Sequence, residues 1–261
     1  MRSCGCLVVW LLVSVLASAC TSVVAGTAAP SAGLKPRPVT GQTVKQVLLD
    51  DAELSKLLGQ PLTGKPRIPP RFGGPEMLQP AIGVVSPVDC AGVTTMLEQS
   101  AYRPGRVTNA ARETWWNIRG TAKAISVAEG IVALPTAAEA GALFENFSQQ
   151  WLKCDGTTVT IERTSIVIGR PEISLSDTIS DVRVADSVLA AALSIETRLS
   201  GAPPSGPRPD GRAIGVRGNC LVEVDVAFFG AQTPTNQAAG EMNTNAIDIA
   251  HAMMAKVSAL S

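Results

Sequence analysis

Two long segments of the chain carry hydrophobic residues at helical spacing, three or four positions apart. The first runs from Thr136 to Cys154 and begins with a capping box formed by Thr136 and Glu139. The second covers Asn236–Leu260 near the end of the sequence. Each stripe predicts a helix that packs one face against a core. Two shorter helices are predicted within residues 50–58 and 88–100.

Alternating hydrophobic and polar residues predict strands between the helices. The predicted strands cover residues 107–118, 122–134, 157–161, 173–183, 185–199, 212–216 and 220–229. Gly218 and Asn219 predict the tight turn that joins the last two of them. Because the strands follow one another as hairpins, the predicted fold class is α+β. We expect a single, mostly antiparallel sheet with the helices packed on one face.

The first 19 residues have the pattern of a secretory signal peptide. Arg2 precedes the apolar run Leu7–Leu16, which is too short to span a bilayer. The small residues directly before Cys20 resemble a bacterial lipobox, in which the cysteine thiol receives a diacylglyceryl group. An ordinary signal peptide would be cut at the same bond, so only lipidation of Cys20 separates the two interpretations.

The segment Thr21–Gln42 is rich in small residues and proline, which is typical of a tether between a membrane and a folded domain. This composition favours lipidation. The predicted organisation is a signal peptide at residues 1–19, a lipidated Cys20 with a flexible tether at 20–42, and one domain at 43–261. The protein is therefore expected to be lipid-anchored at the extracytoplasmic face of the cell membrane.

Charge and histidine content exclude several functions. The chain has 22 basic and 22 acidic residues and a formal charge of zero, so binding to nucleic acid through bulk charge is not expected. His251 is the single histidine, which excludes a histidine-rich metal centre. We expect neither a metal nor a cofactor, and we assign no catalytic residue.

Three of the six cysteines lie beyond the signal peptide and its lipobox, namely Cys90, Cys154 and Cys220. An odd number in an oxidising compartment leaves one thiol unpaired. Cys90 at a helix start and Cys154 at a helix end could lie side by side if the two helices are antiparallel. Alternatively, Cys154 could bond to Cys220 and join a helix to the sheet.

Three motifs together resemble the PknH-type extracellular sensor domain. They are Asp89-Cys90-Ala91-Gly92, the predicted helix that ends in Gln150-Trp151-Leu152-Lys153-Cys154, and the strand Arg212-Ala213-Ile214-Gly215-Val216-Arg217-Gly218-Asn219. The resemblance covers residues 43–261. That domain is attached to a mycobacterial receptor Ser/Thr kinase and also occurs alone in mycobacterial lipoproteins. The resemblance implies a single α+β domain with a cleft for an unidentified ligand and no enzymatic activity.

The resemblance also implies a disulfide between Cys90 and Cys154, which match the first two cysteines of the family. The family has a second disulfide, with cysteines expected before the Arg212 strand and at the end of the next strand. In this chain Pro209-Asp210-Gly211 precedes Arg212, and Val226-Ala227-Phe228 stands at the other position. The second disulfide is therefore expected to be absent.

A candidate ligand site follows from strand alternation. Glu223 and Asp225 face opposite to the valines at 222, 224 and 226, so they project from the open face if the valines pack on helices. Trp115 and Trp116 point to opposite faces of their strand, and one of them is expected beside the carboxylates. An aromatic ring beside two acids suits a polar or cationic ligand with an apolar body. The alternative is a solvated strand face with both tryptophans serving the core.

The leading functional hypothesis is a membrane-anchored lipoprotein whose non-catalytic, sensor-like domain binds an unidentified small molecule or envelope component. One rival is an envelope hydrolase that uses a Ser-Lys pair or the paired carboxylates Glu223 and Asp225. The other rival is a protein-binding module that modulates a membrane kinase. A serine hydroxyl within hydrogen-bonding reach of a lysine or histidine would favour the hydrolase.

Overall fold

The computed structural model describes residues 37–64, 70–81, 83–117, 123–163, 172–229 and 236–261, with side chains in the last range from Asn245 onward. Within these residues the chain forms one ten-stranded sheet and four α-helices. The strands are β1 (Thr63–Gly64), β2 (Arg71–Gly73), β3 (Val84–Ser86), β4 (Asn109–Trp116), β5 (Ala124–Ala133), β6 (Thr158–Arg163), β7 (Ile173–Ala185), β8 (Val188–Leu199), β9 (Arg208–Arg217) and β10 (Cys220–Phe228). The helices are α1 (Asp51–Leu58), α2 (Ala91–Thr94), α3 (Ala137–Cys154) and α4 (Asn236–Leu260).

The sheet runs in the order β1-β4-β5-β10-β9-β8-β7-β6-β3, and β2 also pairs with β4. Its strand pairs are antiparallel, and the predicted hairpins β4–β5, β7–β8 and β9–β10 are all present. The predicted α+β class with a single antiparallel sheet is therefore confirmed. Strands β10, β9 and β8 lie at the centre of the sheet, which decides the environment of the predicted site residues.

Helices cover both faces of this sheet, so the prediction that they pack on one face is wrong. Val222 lies in one hydrophobic cluster with residues of α4, whereas its neighbour Leu221 lies in a second cluster with residues of α3. The reason is visible in β8, where every residue from Val188 to Leu193 is buried. A strand that is apolar on both faces needs a cover on each of them.

Helices α1 and α3 begin as their capping sequences predict. The Asp50 and Glu53 side chains each accept a hydrogen bond from the other residue's backbone N–H, and Gly59 ends α1 in the left-handed conformation at φ +63°. At the start of α3, the Thr136 hydroxyl accepts a hydrogen bond from the Glu139 N–H. Both helix starts are therefore fixed by local hydrogen bonds, independently of the rest of the fold.

The helix predicted within residues 88–100 is much shorter in the structure. It consists of a 3₁₀ turn at Val88–Cys90 followed by the single turn of α2. A continued helix would pair the Val93 carbonyl with the Leu97 N–H. Instead, Arg212 Nε donates to the Val93 carbonyl at 3.0 Å, and the Leu97 N–H donates to Glu223 Oε2 at 3.1 Å. Hydrogen bonds to the sheet thus replace this helical bond.

The folded domain begins earlier than the sequence pattern predicts. The Val39 backbone bonds twice to the Asn219 side chain, through N–H to Oδ1 at 2.8 Å and through its carbonyl to Nδ2 at 3.0 Å. Val39 is also buried, so residues 39–42 of the predicted tether belong to the domain. The signal peptide, Cys20 and tether residues 20–36 lie outside the described residues. Among the described helices, none is both long and apolar enough to cross a membrane.

Candidate functional site

Strand register places Trp116, Glu223 and Asp225 on the sheet face that α3 covers, and Trp115 on the opposite face. One tryptophan therefore shares a face with the acids, as predicted. Trp116 is nevertheless distant from them, because its row of paired residues crosses β5 and meets β10 at Ala227, two residues beyond Asp225. Two strand spacings and two residues along the strand correspond to about 12 Å.

Glu223 is buried rather than exposed, with 1% of its surface accessible. Its Oε2 accepts from Arg212 Nη2 at 2.9 Å and from the Leu97 N–H, and its Oε1 accepts from the Tyr102 hydroxyl at 2.5 Å. Burial raises the pKa of that tyrosine well above its ordinary value, so the hydroxyl keeps its proton as a donor. The expectation that Glu223 lies on an open face is wrong. Its carboxylate is buried, and there it neutralises the charge of a buried arginine.

Arg212 is the centre of this network and is completely buried. Its guanidinium donates to the Val93 and Val224 carbonyls and to Glu223, and it lies 5.6 Å from the centre of the Trp151 ring. Each buried charge therefore has an opposite charge and several hydrogen bonds, as burial in a core requires. The arrangement attaches the segment after α2 to the centre of the sheet, which is a structural role.

Trp115 serves the opposite face. Its Nε1 donates to Glu129 Oε2 at 3.1 Å, and the Leu49 N–H donates to Glu129 Oε1 at 3.2 Å. Burial raises the pKa of Glu129 to about 8. Trp115 thus helps to seat residues 37–58, which we call the N-terminal arm, on the side of the sheet that carries α4.

Asp225 shares its sheet face with two carboxyl groups that the sequence pattern did not assign, and their charges influence one another. Asp210 on β9 and Asp177 on β7 project from the same sheet face, and we call these three residues the acidic triad. Asp210 and Asp177 are each 2% exposed, whereas Asp225 is half-buried. Asp225 and Asp210 are diagonal neighbours on the adjacent strands β10 and β9. Asp177 Oδ1 and Asp210 Oδ1 are buried and have no hydrogen-bond partner among the described residues.

Burial disfavours the charged form of all three carboxyl groups. It raises the pKa of Asp177 to about 6, and it raises the pKa of Asp225 above the ordinary value. The pKa of Asp210 is raised well above its ordinary value by burial and then by the charge of Asp225. Arg208 opposes these effects, with Nη2 placed 3.9 Å from Asp210 Oδ2. The triad can therefore exchange protons and offers acceptor atoms that the protein leaves unused.

Sequence reasoning missed Asp210 because Pro209-Asp210-Gly211 reads as a loop, although β9 already begins at Arg208. Asp177 could have been found. It stands between Leu175 and Ile179 at alternating positions of a predicted strand, where an apolar residue is expected. A charged residue at an apolar position of a strand predicts either an oppositely charged partner or a functional site.

The surroundings of the triad are partly open and largely apolar. Ala128, Leu175 and Ile195 pack at the margin of the α3-side cluster and remain partly accessible. Two other surface grooves are present, one of about 660 Å³ beside Leu78 and Tyr102 and one of about 420 Å³ beside the disulfide. Neither groove is lined by the triad, by the tryptophans or by Glu223.

The cysteine pairing follows the expectation from the family. Cys90 and Cys154 form a disulfide with an S–S distance of 2.06 Å, and Cys220 is a free, buried thiol. Burial raises the pKa of the Cys220 thiol to about 12, so it carries little reactive thiolate at neutral pH. The disulfide joins the end of α3 to the turn before α2.

A small α+β domain that is closed by a disulfide has a feature typical of extracellular domains. The chain matches the family model of the PknH-like extracellular domain over residues 39–256, and it belongs to that family. A search of curated protein sequences gave no match.

The fold is also found in solved structures. The crystal structure of the extracellular domain of PknH from Mycobacterium tuberculosis is similar with a TM-score of 0.64 and 22% identity, over 86% of this chain and 100% of that one. An X-ray structure of a Mycobacterium smegmatis protein gives a TM-score of 0.32 and 9% identity, over 81% of this chain and 96% of that one. The first likeness supports the α+β fold.

Proposed function

We propose that this protein is a lipoprotein, anchored through Cys20 at the extracytoplasmic membrane face, whose PknH-like domain binds a small molecule or envelope component without transforming it. The binding site is the partly open sheet face around the acidic triad. One observation carries this proposal: within the described part of the chain, Asp177 Oδ1 and Asp210 Oδ1 are buried without hydrogen-bond partners. Leaving such a group unpaired costs about 1–3 kcal/mol, which a ligand that donates hydrogen bonds would recover.

The rival hydrolase hypothesis loses its proposed residues. Glu223 cannot act with Asp225 as an acid–base pair, because Arg212, Tyr102 and the Leu97 N–H occupy both of its oxygens. In the described part of the chain, no hydrogen bond joins a serine hydroxyl to a lysine or histidine. Lys256, for example, donates to the Leu48 carbonyl and to Glu53. These arrangements support a binding domain.

The test is native mass spectrometry of the full chain purified from its own host. Wild-type protein is expected to carry a bound small molecule as an added mass. The double variant Asp177→Asn with Asp210→Asn is expected to lose that mass, since both unused acceptors are altered. Asp186→Asn is the matched control, because this exposed aspartate in the β7–β8 turn makes the same chemical change away from the triad.

Two results would contradict the proposal. Retention of the added mass by the double variant would place the ligand elsewhere on the protein. Absence of any added mass from wild-type protein prepared in several growth phases would argue against ligand binding itself. Circular dichroism of each variant is the control that checks whether it is folded.

A further inference from the structure

The groove beside Leu78 and Tyr102, which we call the Tyr102 groove, has about 660 Å³ and lies within the usual size range of small-molecule sites. Its wall contains Tyr102, whose ring packs edge-on against Phe147 and whose hydroxyl donates to Glu223. Gly105 lines the same groove, and a Cβ there would lie only 2.8 Å from a methyl carbon of Leu143 on α3. The wall is therefore held by contacts with the core, so the groove is largely preformed.

The Tyr102 groove contains a buried carboxylate that lacks a cationic partner. Glu98 lines the groove and is 3% exposed. Its Oε2 accepts from the Ser100 hydroxyl at 2.5 Å and from the Ala101 N–H at 2.8 Å. Within the described residues, Oε1 accepts no hydrogen bond and neither oxygen forms an ion pair. Because carboxylates are seldom buried without a partner, a ligand that donates to Oε1 would be favoured there.

Two arginines line the same groove, and only one of them is free to bind a ligand. Arg106 donates to both oxygens of Glu139 on α3, at 3.1 and 2.7 Å, so its charge is already paired. The Arg103 side chain is exposed and has no hydrogen bond or ion pair in the part of the chain that the structure describes. The groove therefore presents one unpaired carboxylate, on Glu98, and one unpaired guanidinium, and these two groups do not pair with each other.

We propose that the Tyr102 groove binds a short zwitterionic peptide, at a site that is separate from the acidic triad and does not depend on it. The peptide's ammonium donates to Glu98 Oε1, and its carboxylate accepts from the Arg103 guanidinium, whose fork of N–H groups matches a carboxylate. Apolar side chains of the peptide pack against Leu78, Ala81 and Val107. A simple cation would leave Arg103 unpaired and a simple anion would leave Glu98 unpaired, whereas a zwitterion satisfies both.

The experiment is an NMR titration of the full chain in lipid nanodiscs, with tyrosine labelled by carbon-13 in its ring. Tyr102 is the single tyrosine of the sequence, so the labelled signals report directly from the groove wall. The probe is the dipeptide Leu-Leu, and its N-acetyl and C-terminal amide forms each lack one charge. Leu-Leu is expected to shift the tyrosine signals in a saturable way. Each blocked form should bind roughly tenfold or more weakly, because hydrogen bonds between charged groups are stronger than neutral ones.

Two variants test the two ends of the peptide separately. In Glu98→Gln the Ala101 N–H still requires an oxygen acceptor, so the amide NH2 takes the place of Oε1. The preference for Leu-Leu over its N-acetyl form is then expected to disappear. In Arg103→Gln the preference for Leu-Leu over its C-terminal amide should disappear. Glu145→Gln and Arg198→Gln make the same chemical changes at exposed positions and should behave as wild type.

Several results would overturn the inference. They are the absence of a tyrosine shift at millimolar Leu-Leu, equal binding of Leu-Leu and either blocked form, and a variant at Glu98 or Arg103 that keeps the full wild-type preference. If Glu98→Gln does not fold, Arg103→Gln decides, because Arg103 is exposed and its replacement leaves the core intact. Failure of Leu-Leu to bind would leave the proposal for the acidic triad unaffected, since that proposal depends on the mass carried by the purified protein.

Discussion

Arg212 and Glu223 determine the local structure of residues that are far from them in sequence. They occupy the Val93 carbonyl and the Leu97 N–H, which are the two backbone groups that a longer α2 would pair with each other. The ion pair therefore acts as a substitute for one helical hydrogen bond. Because the ion pair is buried, removal of one partner lowers the stability of the fold by more than the same change in an exposed ion pair.

Removal of one partner of this pair is expected to destabilise the protein strongly. Arg212→Ala leaves Glu223 buried without an opposite charge, and we expect the free energy of unfolding to fall by roughly 3–5 kcal/mol. Urea denaturation measures the change. Arg198→Ala is the control, because Arg198 is largely exposed and lies 3.9 Å from Glu196, so its loss should cost less than about 0.5 kcal/mol. An Arg212→Ala protein as stable as the control would contradict a central role for this network.

Glu129 makes stability depend on pH in a defined direction. Its pKa is about 8 in the folded protein, against an ordinary value of 4.5. The unfolded chain therefore loses this proton first, and the free energy of unfolding falls as pH rises from about 4.5 to about 8. Glu129→Gln is expected to narrow the difference in Tm between pH 5 and pH 8. The carboxyl groups of the acidic triad also lower the free energy of unfolding as pH rises, so some pH dependence of Tm should remain in the variant.

The control for this measurement is Glu145→Gln, an exposed residue on α3 whose replacement should leave the pH dependence of Tm unchanged. A Glu129→Gln protein with the full wild-type pH dependence would show that Glu129 titrates normally. It would also remove the evidence that the N-terminal arm shields this carboxyl from water.

At the scale of elements, the sequence predicts those parts whose structure is decided locally. The start of α3 is an example, since Thr136, Glu139 and the apolar stripe are all within the helix itself. The length of α2 could not be predicted, because Arg212 on β9 and Glu223 on β10 terminate it. Alternation placed Glu223 and Asp225 on one face correctly. It could not show that β10 lies in the middle of the sheet, where that face is covered.

The disulfide is the covalent link between two of these elements. Cys90 and Cys154 are 64 positions apart, and closure of a loop of this length is expected to stabilise the fold by about 4 kcal/mol on the chain-entropy model. Replacement of both cysteines by serine should lower the free energy of unfolding by a similar amount. Non-reducing peptide mapping should find Cys220 as a free thiol.

Reduction provides an internal control for this prediction. Dithiothreitol should destabilise the wild type and have no further effect on the double serine variant. If reduction leaves the Tm of the wild type unchanged, the disulfide does not constrain the unfolded chain as proposed.

At the scale of the whole molecule, the two sheet faces are covered by different elements and hold different buried groups. The N-terminal arm and α4 occupy one face together with Trp115 and Glu129. The other face carries α3, the disulfide and the acidic triad. Substitutions on the arm side are therefore expected to change stability without altering the proposed ligand site.

Lipidation at Cys20 is the prediction that concerns the attachment of the whole protein. Metabolic labelling with an alkyne fatty acid is expected to mark the wild-type chain, because diacylglyceryl transfer requires the cysteine thiol. Cys20→Ala should abolish the mark and release the protein from the membrane fraction. Cys4→Ala, at another cysteine of the N-terminal segment, should keep both the fatty-acid label and the membrane attachment. A labelled Cys20→Ala protein would refute the assignment.

The attachment of the N-terminal arm has a mechanical consequence. Tension applied along the chain from its N-terminal side enters the fold at Val39, where it meets the two hydrogen bonds of Asn219. The bond from the Gly41 N–H to Asn109 comes next, followed by the buried Val44 and Val47. Bonds loaded one after another break at lower force than bonds loaded together, so the arm peels away as a separate local unit. The sheet and the acidic triad are thereby insulated from a pull on the proposed lipid anchor at Cys20.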